Sequence, residues 1–279
     1  EKAIKRYFPI FVLPTMIAFT LGFIIPFVEG VYLSFCKFTT VNDAKFIGFA
    51  NYAKVFADET FVHAFWYTAA FTVVSVILIN VLAFAVALLL TKGFKGTNIF
   101  RTVFFMPNLI GGIVLGYIWQ LLLNGILMNF SRTLTYSSTY GFWGLIVLMC
   151  WQQIGYMMII YIAGIQNIPG ELIEAAEIDG ATKWQILKKV TIPMVMPSIT
   201  VCTFLTLTNS FKLFDQNLAL TNGEPSKMSE MLALNIFNTF YGRTGYEGVG
   251  QAKAVIFFIL VTVIALTQNY LTRRKEVQQ

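Results

Sequence analysis

The sequence predicts an all-α membrane protein with six transmembrane helices. Hydrophobic residues make up 57% of its 279 residues and charged residues only 12%, whereas soluble domains carry about a quarter charged residues. A helix needs roughly 20 apolar residues to cross a bilayer, and six stretches of the chain satisfy that requirement. The segments between these stretches hold most of the charge, which is typical of a multi-pass membrane protein.

The first span covers about residues 9–35 and follows three basic residues. Proline disrupts the hydrogen bonding of a helix interior, so a bend is expected at one or more of Pro9, Pro14 and Pro26. The interpretation that this run is only an anchor stays open. A polar, aromatic loop is predicted at 36–63, and we take residues 1–63 as a first region.

Five further spans form a predicted core region at 64–272, which a basic tail at 273–279 follows. In the third span, Met106-Pro107-Asn108 predicts a bend in the first turns. Gly112 and Gly116 have the four-residue spacing of close helix packing. The spans of this region are predicted at about 64–90, 103–123, 142–165, 197–214 and 253–271.

The distribution of Lys and Arg predicts the orientation of the chain. Twelve of these residues fall in the two terminal segments and in the second and fourth loops, and eight fall in the other, longer loops. Cytoplasmic segments carry the excess of Lys and Arg. We therefore expect both termini, and the loop between the fourth and fifth spans, to be cytoplasmic.

That fourth loop, residues 166–193, is the longest charged and helix-prone segment of the chain. Its pattern predicts short amphipathic helices at the membrane surface, and Gly180 is expected to end or bend the first of them. An ordinary connecting loop and a docking element for a soluble partner both fit this pattern.

Several kinds of chemistry are missing from the sequence. It has no phosphate-binding loop of the Gly-x-x-x-x-Gly-Lys-Ser/Thr type, and His63 is its single histidine. The three cysteines have no metal-site or disulfide spacing. We also expect the spans to lack buried acidic or basic residues, with Glu29, Lys212 and Lys253 near span ends, which disfavours an ion-coupled carrier.

Against this background, residues 174–193 resemble the EAA loop of permease subunits of bacterial ABC importers. The family pattern is Glu-Ala-Ala, three residues, Gly, nine residues and Ile-x-Leu-Pro. Glu174-Ala175-Ala176 and Gly180 match it, and Val190-Thr191-Ile192-Pro193 matches with conservative changes. Segments 46–52, 100–107 and 214–225 resemble the carbohydrate-uptake branch, which includes MalF-like and UgpA-like permeases, although Glu224 replaces a glycine of its pattern.

The resemblance implies a type I importer bundle in a bacterial cell membrane, whose coupling helices lie between the fourth and fifth spans. It implies four partners: a second, MalG-like permease, a cytoplasmic ATPase dimer, an extracytoplasmic solute-binding protein and a carbohydrate. ATP and Mg would bind to the ATPase, so this chain would hold no cofactor and catalyse no reaction. The implied coupling residues are Glu174, Ala175, Ala176, Asp179, Gly180 and Pro193. For Glu174, a plain charge at a helix N-terminus is the alternative.

A sugar also needs hydrogen-bonding groups along its path. The uncharged polar residues best placed for this role are Gln152, Gln153, Tyr156, Asn209 and Ser210. The alternative for each of them is a hydrogen bond to another helix. A permease for a non-sugar solute and a stand-alone carrier are the competing functions.

Overall fold

The structure is a computed structural model that describes residues 2–93 and 95–273. Residues 274–279 of the predicted basic tail lie outside the described residues. α-Helices dominate the described chain, so the predicted all-α class is confirmed. Its β-structure is the antiparallel pair of β1 (Cys36–Lys37) and β2 (Lys45–Phe46), in which Cys36 pairs with Phe46.

Fourteen α-helices lie in the described residues. The first four are α1 (Lys2–Phe19), α2 (Ile25–Leu33), α3 (Ala50–Phe56) and α4 (Glu59–Leu90). The next six are α5 (Thr97–Phe105), α6 (Gly112–Met128), α7 (Ser138–Gln166), α8 (Gly170–Ile178), α9 (Lys183–Ile186) and α10 (Ile192–Met194). The last four are α11 (Met196–Phe211), α12 (Asp215–Leu220), α13 (Leu232–Gly242) and α14 (Glu247–Arg273).

Four stretches among the described residues are long and apolar enough to cross a membrane as one helix: Tyr7–Leu33, Glu59–Leu90, Ser138–Gln166 and Glu247–Thr272. Two pairs, Thr97–Leu109 with Gly112–Met128 and Lys183–Met194 with Met196–Phe211, pass the same test but are bent by 103° and 69°. If each bent pair is one crossing, the count reaches the six that the sequence predicts.

Proline lies where two of these segments depart from the regular α-helix. Pro107 lies in the short 3₁₀ turn Met106–Leu109 that ends α5, and Ile110 is extended, so the bend predicted at Met106-Pro107-Asn108 is present. The apolar helix α6 begins after it, at Gly112. In the first span, a π-helical turn, Thr20–Ile24, directly precedes Pro26. The wider turn accommodates a residue that has no N–H to donate.

The described residues form two compact units, and the first contains the chain up to Phe61 together with Asn235–Ile259. The predicted loop at 36–63 is ordered there. The side-chain amide of Asn51 donates to the carbonyls of Ser34 at 2.9 Å and Cys36 at 2.8 Å. Because a Cβ on Gly248 would overlap the Cys36 carbonyl, α14 approaches this segment closely.

One prediction about charge in the spans is wrong. Lys253 is fully buried and lies within the apolar stretch Glu247–Thr272, not at its end. Its ammonium group pairs with Asp58 and donates hydrogen bonds to Asn235 and Thr239. A buried charge is tolerated when it is paired and hydrogen-bonded in this way.

The second unit, Val62–Leu234 with the residues from Leu260 onward, has α7 at its centre. The hydroxyl of Tyr161 on α7 donates to Asn80 on α4 at 2.7 Å, and Asn80 donates to Thr206 on α11 at 3.3 Å. A Cβ on Gly116 of α6 would lie 2.5 Å from that of Ala219 on α12. The spacing of Gly112 and Gly116 therefore serves close packing against α12.

Candidate functional site

The first candidate site is the segment that joins α7 to α11. Helix α8 contains the Glu-Ala-Ala sequence, and Gly180 ends the turn after it with φ of +76°, a conformation that glycine adopts without strain. The next helix starts at once, because Thr182 and Gln185 form a capping box at the beginning of α9. The helix–turn–helix geometry is therefore fixed locally by the sequence.

Most of the predicted coupling residues are accessible to solvent. Glu174, Ala175, Asp179 and Gly180 are exposed, whereas Ala176 and Pro193 are half-buried. Glu174 forms no salt bridge with a cation among the described residues. Its carboxylate is free to accept hydrogen bonds from a basic group of another protein.

Three large apolar side chains are also exposed in this charged segment, and one of them is Leu172 on α8, which is 43% exposed. Ile178 at the end of α8 is 85% exposed, and Trp184 on α9 is 69% exposed. Between the helices lies a cleft of about 320 Å³, whose walls include Ala176, Asp179, Gly180, Ile186 and Lys189. Exposed apolar groups beside a carboxylate and a cleft are typical of a protein-docking surface.

The second candidate site is a polar cleft of about 290 Å³ beside α7 and α11. Gln153 of α7 and Asn209 of α11 line it, and the Asn209 amide donates to Gln153 at 3.3 Å. Gln152 lies next to this pair and accepts from Gln216 of α12 at 2.8 Å. Amide groups in this arrangement can both donate to and accept from the hydroxyl groups of a solute.

The structure places the other predicted path residues elsewhere. Ser210 is fully buried, and its hydroxyl has no hydrogen-bond partner among the described residues. Tyr156 is half-buried and packs near Phe105 with 6.4 Å between the ring centroids. Neither residue lines the cleft of Gln153 and Asn209.

Sequence reasoning missed part of the cleft wall. Lys212, Asp215 and Gln216 line it, although the sequence assigned them to a span end and the loop after it. The chain turns directly from α11 into α12, and this turn returns residues 215 and 216 to the cleft. The available signal for this wall is Phe214-Asp215, which belongs to the segment 214–225 that resembles the carbohydrate-uptake branch.

Within residues 2–93 and 95–273, no group of three or more His, Cys, Asp and Glu side chains could hold a metal ion. The geometry offers a docking surface and a polar cleft in a membrane protein. Comparison with known proteins agrees with this: residues 79–277 match the model of the binding-protein-dependent transport system inner membrane component family.

The chain belongs to this family.

Other inner membrane components of known sequence are similar over the whole length. The "Probable starch degradation products transport system permease protein AmyD" of Thermoanaerobacterium thermosulfurigenes is 42% identical, with 96% of this chain and 94% of that protein covered. The "Multiple sugar-binding transport system permease protein MsmF" of Streptococcus mutans is 28% identical, with 99% of each covered. This inner membrane component is therefore a multi-pass membrane protein of a transport system.

A solved structure has the same fold. It is a chain of a bacterial ABC transporter involved in the import of the acidic polysaccharide alginate, with a TM-score of 0.82 and 23% identity, and 98% of each chain is covered. The similarity supports the predicted type I permease fold of this inner membrane component, with its short helices between the fourth and fifth crossings.

Proposed function

We propose that this inner membrane component is the permease subunit of an ATP-driven bacterial importer of a sugar or oligosaccharide. The observation that carries the proposal is the 42% identity, over almost the whole chain, to a permease named for starch degradation products. The chemistry of the polar cleft supports it, because Gln153 and Asn209, beside the charged Lys212 and Asp215, present amide groups that can both donate to and accept from the hydroxyl groups of a sugar.

In this proposal the segment from α8 to α10 couples the permease to a cytoplasmic ATPase. The Glu174 carboxylate binds a basic group of the ATPase, and Ala175 and Ala176 permit close approach. Gly180 forms the turn, and Ile178 with its 85% exposure supplies apolar contact area. Closure of the ATPase dimer around ATP and Mg then moves α8, and the bundle alternates between inward-facing and outward-facing states.

The proposed assembly has this chain and a second, MalG-like permease in the membrane, with an extracytoplasmic binding protein that delivers the sugar. Each permease forms half of the pathway. The excess of Lys and Arg supports cytoplasmic termini and a cytoplasmic segment 166–193. This chain itself hydrolyses no ATP and binds no cofactor.

The test is transport by the assembled complex. The chain is purified with the products of neighbouring genes and reconstituted into liposomes that enclose ATP, and uptake of a radiolabelled starch-derived oligosaccharide is measured with the binding protein outside. Uptake that requires both ATP and the binding protein is the expected result. Uptake of a non-sugar ligand of the binding protein would overturn the sugar assignment, and ion-driven uptake by this chain alone would overturn the importer assignment.

A further inference from the structure

A groove in the second unit has a chemistry different from both candidate sites. It has a volume of about 300 Å³ and lies between the end of α6 and the beginning of α7, with Leu123, Ile126, Leu134, Trp143 and Val147 among its walls. Thr139 and Tyr140 are the polar residues of its lining. A sugar would lose hydrogen bonds to water in such a groove without replacing them, so an apolar ligand fits it better.

A cation, Arg132, is linked to the wall of this groove through two aromatic contacts. Arg132 is the only charged residue between Arg101 and Glu171 in the sequence. Its guanidinium group is 4.0 Å from the centre of the Tyr136 ring. Tyr136 in turn contacts Tyr140 of the groove wall, with 6.0 Å between ring centroids. The arginine therefore belongs to an aromatic cluster that reaches the groove wall at Tyr140.

The backbone holds this cluster in position. The N–H of Arg132 donates to the carbonyl of Leu127 at 3.1 Å, and the N–H of Leu134 donates to the side chain of Asn124 on α6 at 2.8 Å. Leu134 is 2% exposed. The turn that carries Arg132 is thus fixed to the end of α6, and the position of its charge relative to the groove is preorganised.

The cluster has the composition of a membrane interface. Trp and Tyr are enriched at the level of the lipid head groups, and Tyr136 and Trp143 are 57% and 51% exposed. From there the groove extends along α7 from Thr139 to Val147, which is roughly 12 Å at 1.5 Å per residue. An apolar channel that leads from an interfacial cation towards the membrane interior matches a lipid with a negative head group.

We propose that this groove binds an acyl chain of an anionic phospholipid whose phosphate contacts Arg132. A transmembrane helix of a partner subunit is the competing occupant, but a helix with its side chains is about 10–12 Å across. A groove of about 300 Å³ accommodates an alkyl chain, whereas a helix of that diameter could insert only its side chains. Residues 102–170 contain no acidic residue that could neutralise Arg132. Its positive charge therefore favours an anionic over a zwitterionic head group.

The test uses the chain purified with its partner subunits in phosphatidylcholine nanodiscs. The probe is phosphatidylglycerol with a photoactivatable acyl chain, and phosphatidylcholine with the same chain is the comparison. Mass spectrometry of the labelled peptides measures modification of residues 123–147. We expect phosphatidylglycerol to label this region several-fold more than phosphatidylcholine.

Variants separate the charge from the groove. Arg132→Gln should lower phosphatidylglycerol labelling about fivefold, the effect of one basic residue at a membrane surface, and Arg132→Lys should retain most of it. Val147→Trp should block labelling by both lipids. Arg243→Gln is the matched control, since Arg243 also lies over a tyrosine ring, that of Tyr246, and it should change nothing.

Two results would overturn the proposal. One is equal labelling of the groove by the two lipids in the unmodified protein, which would make it a nonselective lipid contact. The other is protection of residues 123–147 from both probes by the partner permease, which would assign the groove to the subunit interface. If Arg132→Gln fails to assemble, the comparison of the two lipids and the Arg132→Lys variant still decide the matter.

Discussion

The ammonium nitrogen of Lys253 lies 2.8 Å from a carboxylate oxygen of Asp58, although 195 residues separate them in the sequence. Lys253 also donates to Asn235 and Thr239, each at 2.8 Å. Its three N–H groups are therefore all used. The buried charge of Lys253 thus joins α14 to α13 and to the predicted loop 36–63, which contains Asp58.

We expect Asp58→Asn to destabilise the protein strongly. The substitution removes the charge of Asp58 that pairs with the fully buried Lys253, and loss of one partner of a buried pair costs about 3–5 kcal/mol. Lys253→Met should cost less, because Asp58 is 16% exposed and can reach water. Thermal unfolding of the purified protein in detergent measures both, with the exposed neighbour Glu59→Gln as control. Equal melting temperatures for Asp58→Asn and Glu59→Gln would show that the pair adds no stability.

The same pair predicts a pH dependence. Burial alone would raise the pKa of Asp58, but hydrogen bonds from Lys253 and Thr60 and the charge of Lys253 lower it from 3.8 to about 2. Because the folded-state pKa is lower, the pair stabilises the fold fully above about pH 4, and this stability is lost as the pH falls towards 2.

Melting temperatures of the unmodified protein and Lys253→Met, recorded between pH 7 and pH 3, test this expectation. The difference between the two proteins should be constant down to about pH 4 and then narrow. A difference that changes mainly between pH 5 and 7 would assign the effect to another group.

Close packing of α5 on α7 depends on Gly155. A Cβ at this position would overlap the backbone carbonyl of Phe104, and the backbone cannot rotate away as a side chain can. We expect Gly155→Ala to destabilise by at least about 1–3 kcal/mol, the cost of overpacking. Gly125→Ala on α6 is the control, because nothing lies within 4 Å of its added Cβ. If both variants unfold at the same temperature, the close contact is absent in solution.

Substitutions in the polar cleft should change the uptake of the solute. Removal of the cleft amides in Gln153→Ala or Asn209→Ala should raise the sugar concentration for half-maximal uptake several-fold, since each lost hydrogen bond is worth about 0.5–1.5 kcal/mol. Tyr156→Phe should have little effect, because Tyr156 lies outside the cleft. Uptake assays of the reconstituted complex measure all three. A larger effect of Tyr156→Phe than of Asn209→Ala would place the solute path elsewhere.

Much of the fold was predictable, because membrane spans depend on local composition. Long apolar runs identify the crossings, and Pro107 identifies a bend, without knowledge of any distant contact. Local composition also places Lys253 at a span end, because the apolar run begins beside it. Its partner Asp58 is 195 residues away, and no local pattern indicates that the two meet.

In the candidate sites, too, features encoded by local sequence could be predicted and contacts between distant residues could not. The α8 segment is encoded locally by Glu174, Gly180 and the capping residues Thr182 and Gln185, so its position and turn could be predicted. The cleft is assembled from distant residues, such as Gln152 and Gln216, which are 64 positions apart. Composition identified Gln153 and Asn209 as polar groups within spans, but the return of α12 towards α7 required the structure.

The proposed coupling role of Glu174 can be measured as sugar-stimulated ATP hydrolysis by the complete reconstituted transporter. Glu174→Lys replaces the exposed carboxylate with a positive charge. That charge would repel the basic group of the ATPase that Glu174 is proposed to bind. Glu171→Lys, on the same exposed helix, is the matched control. We expect Glu174→Lys to insert into the membrane but to lose sugar-stimulated hydrolysis, whereas Glu171→Lys should retain most of it. Full stimulation in the Glu174→Lys transporter would show that the ATPase does not dock through Glu174.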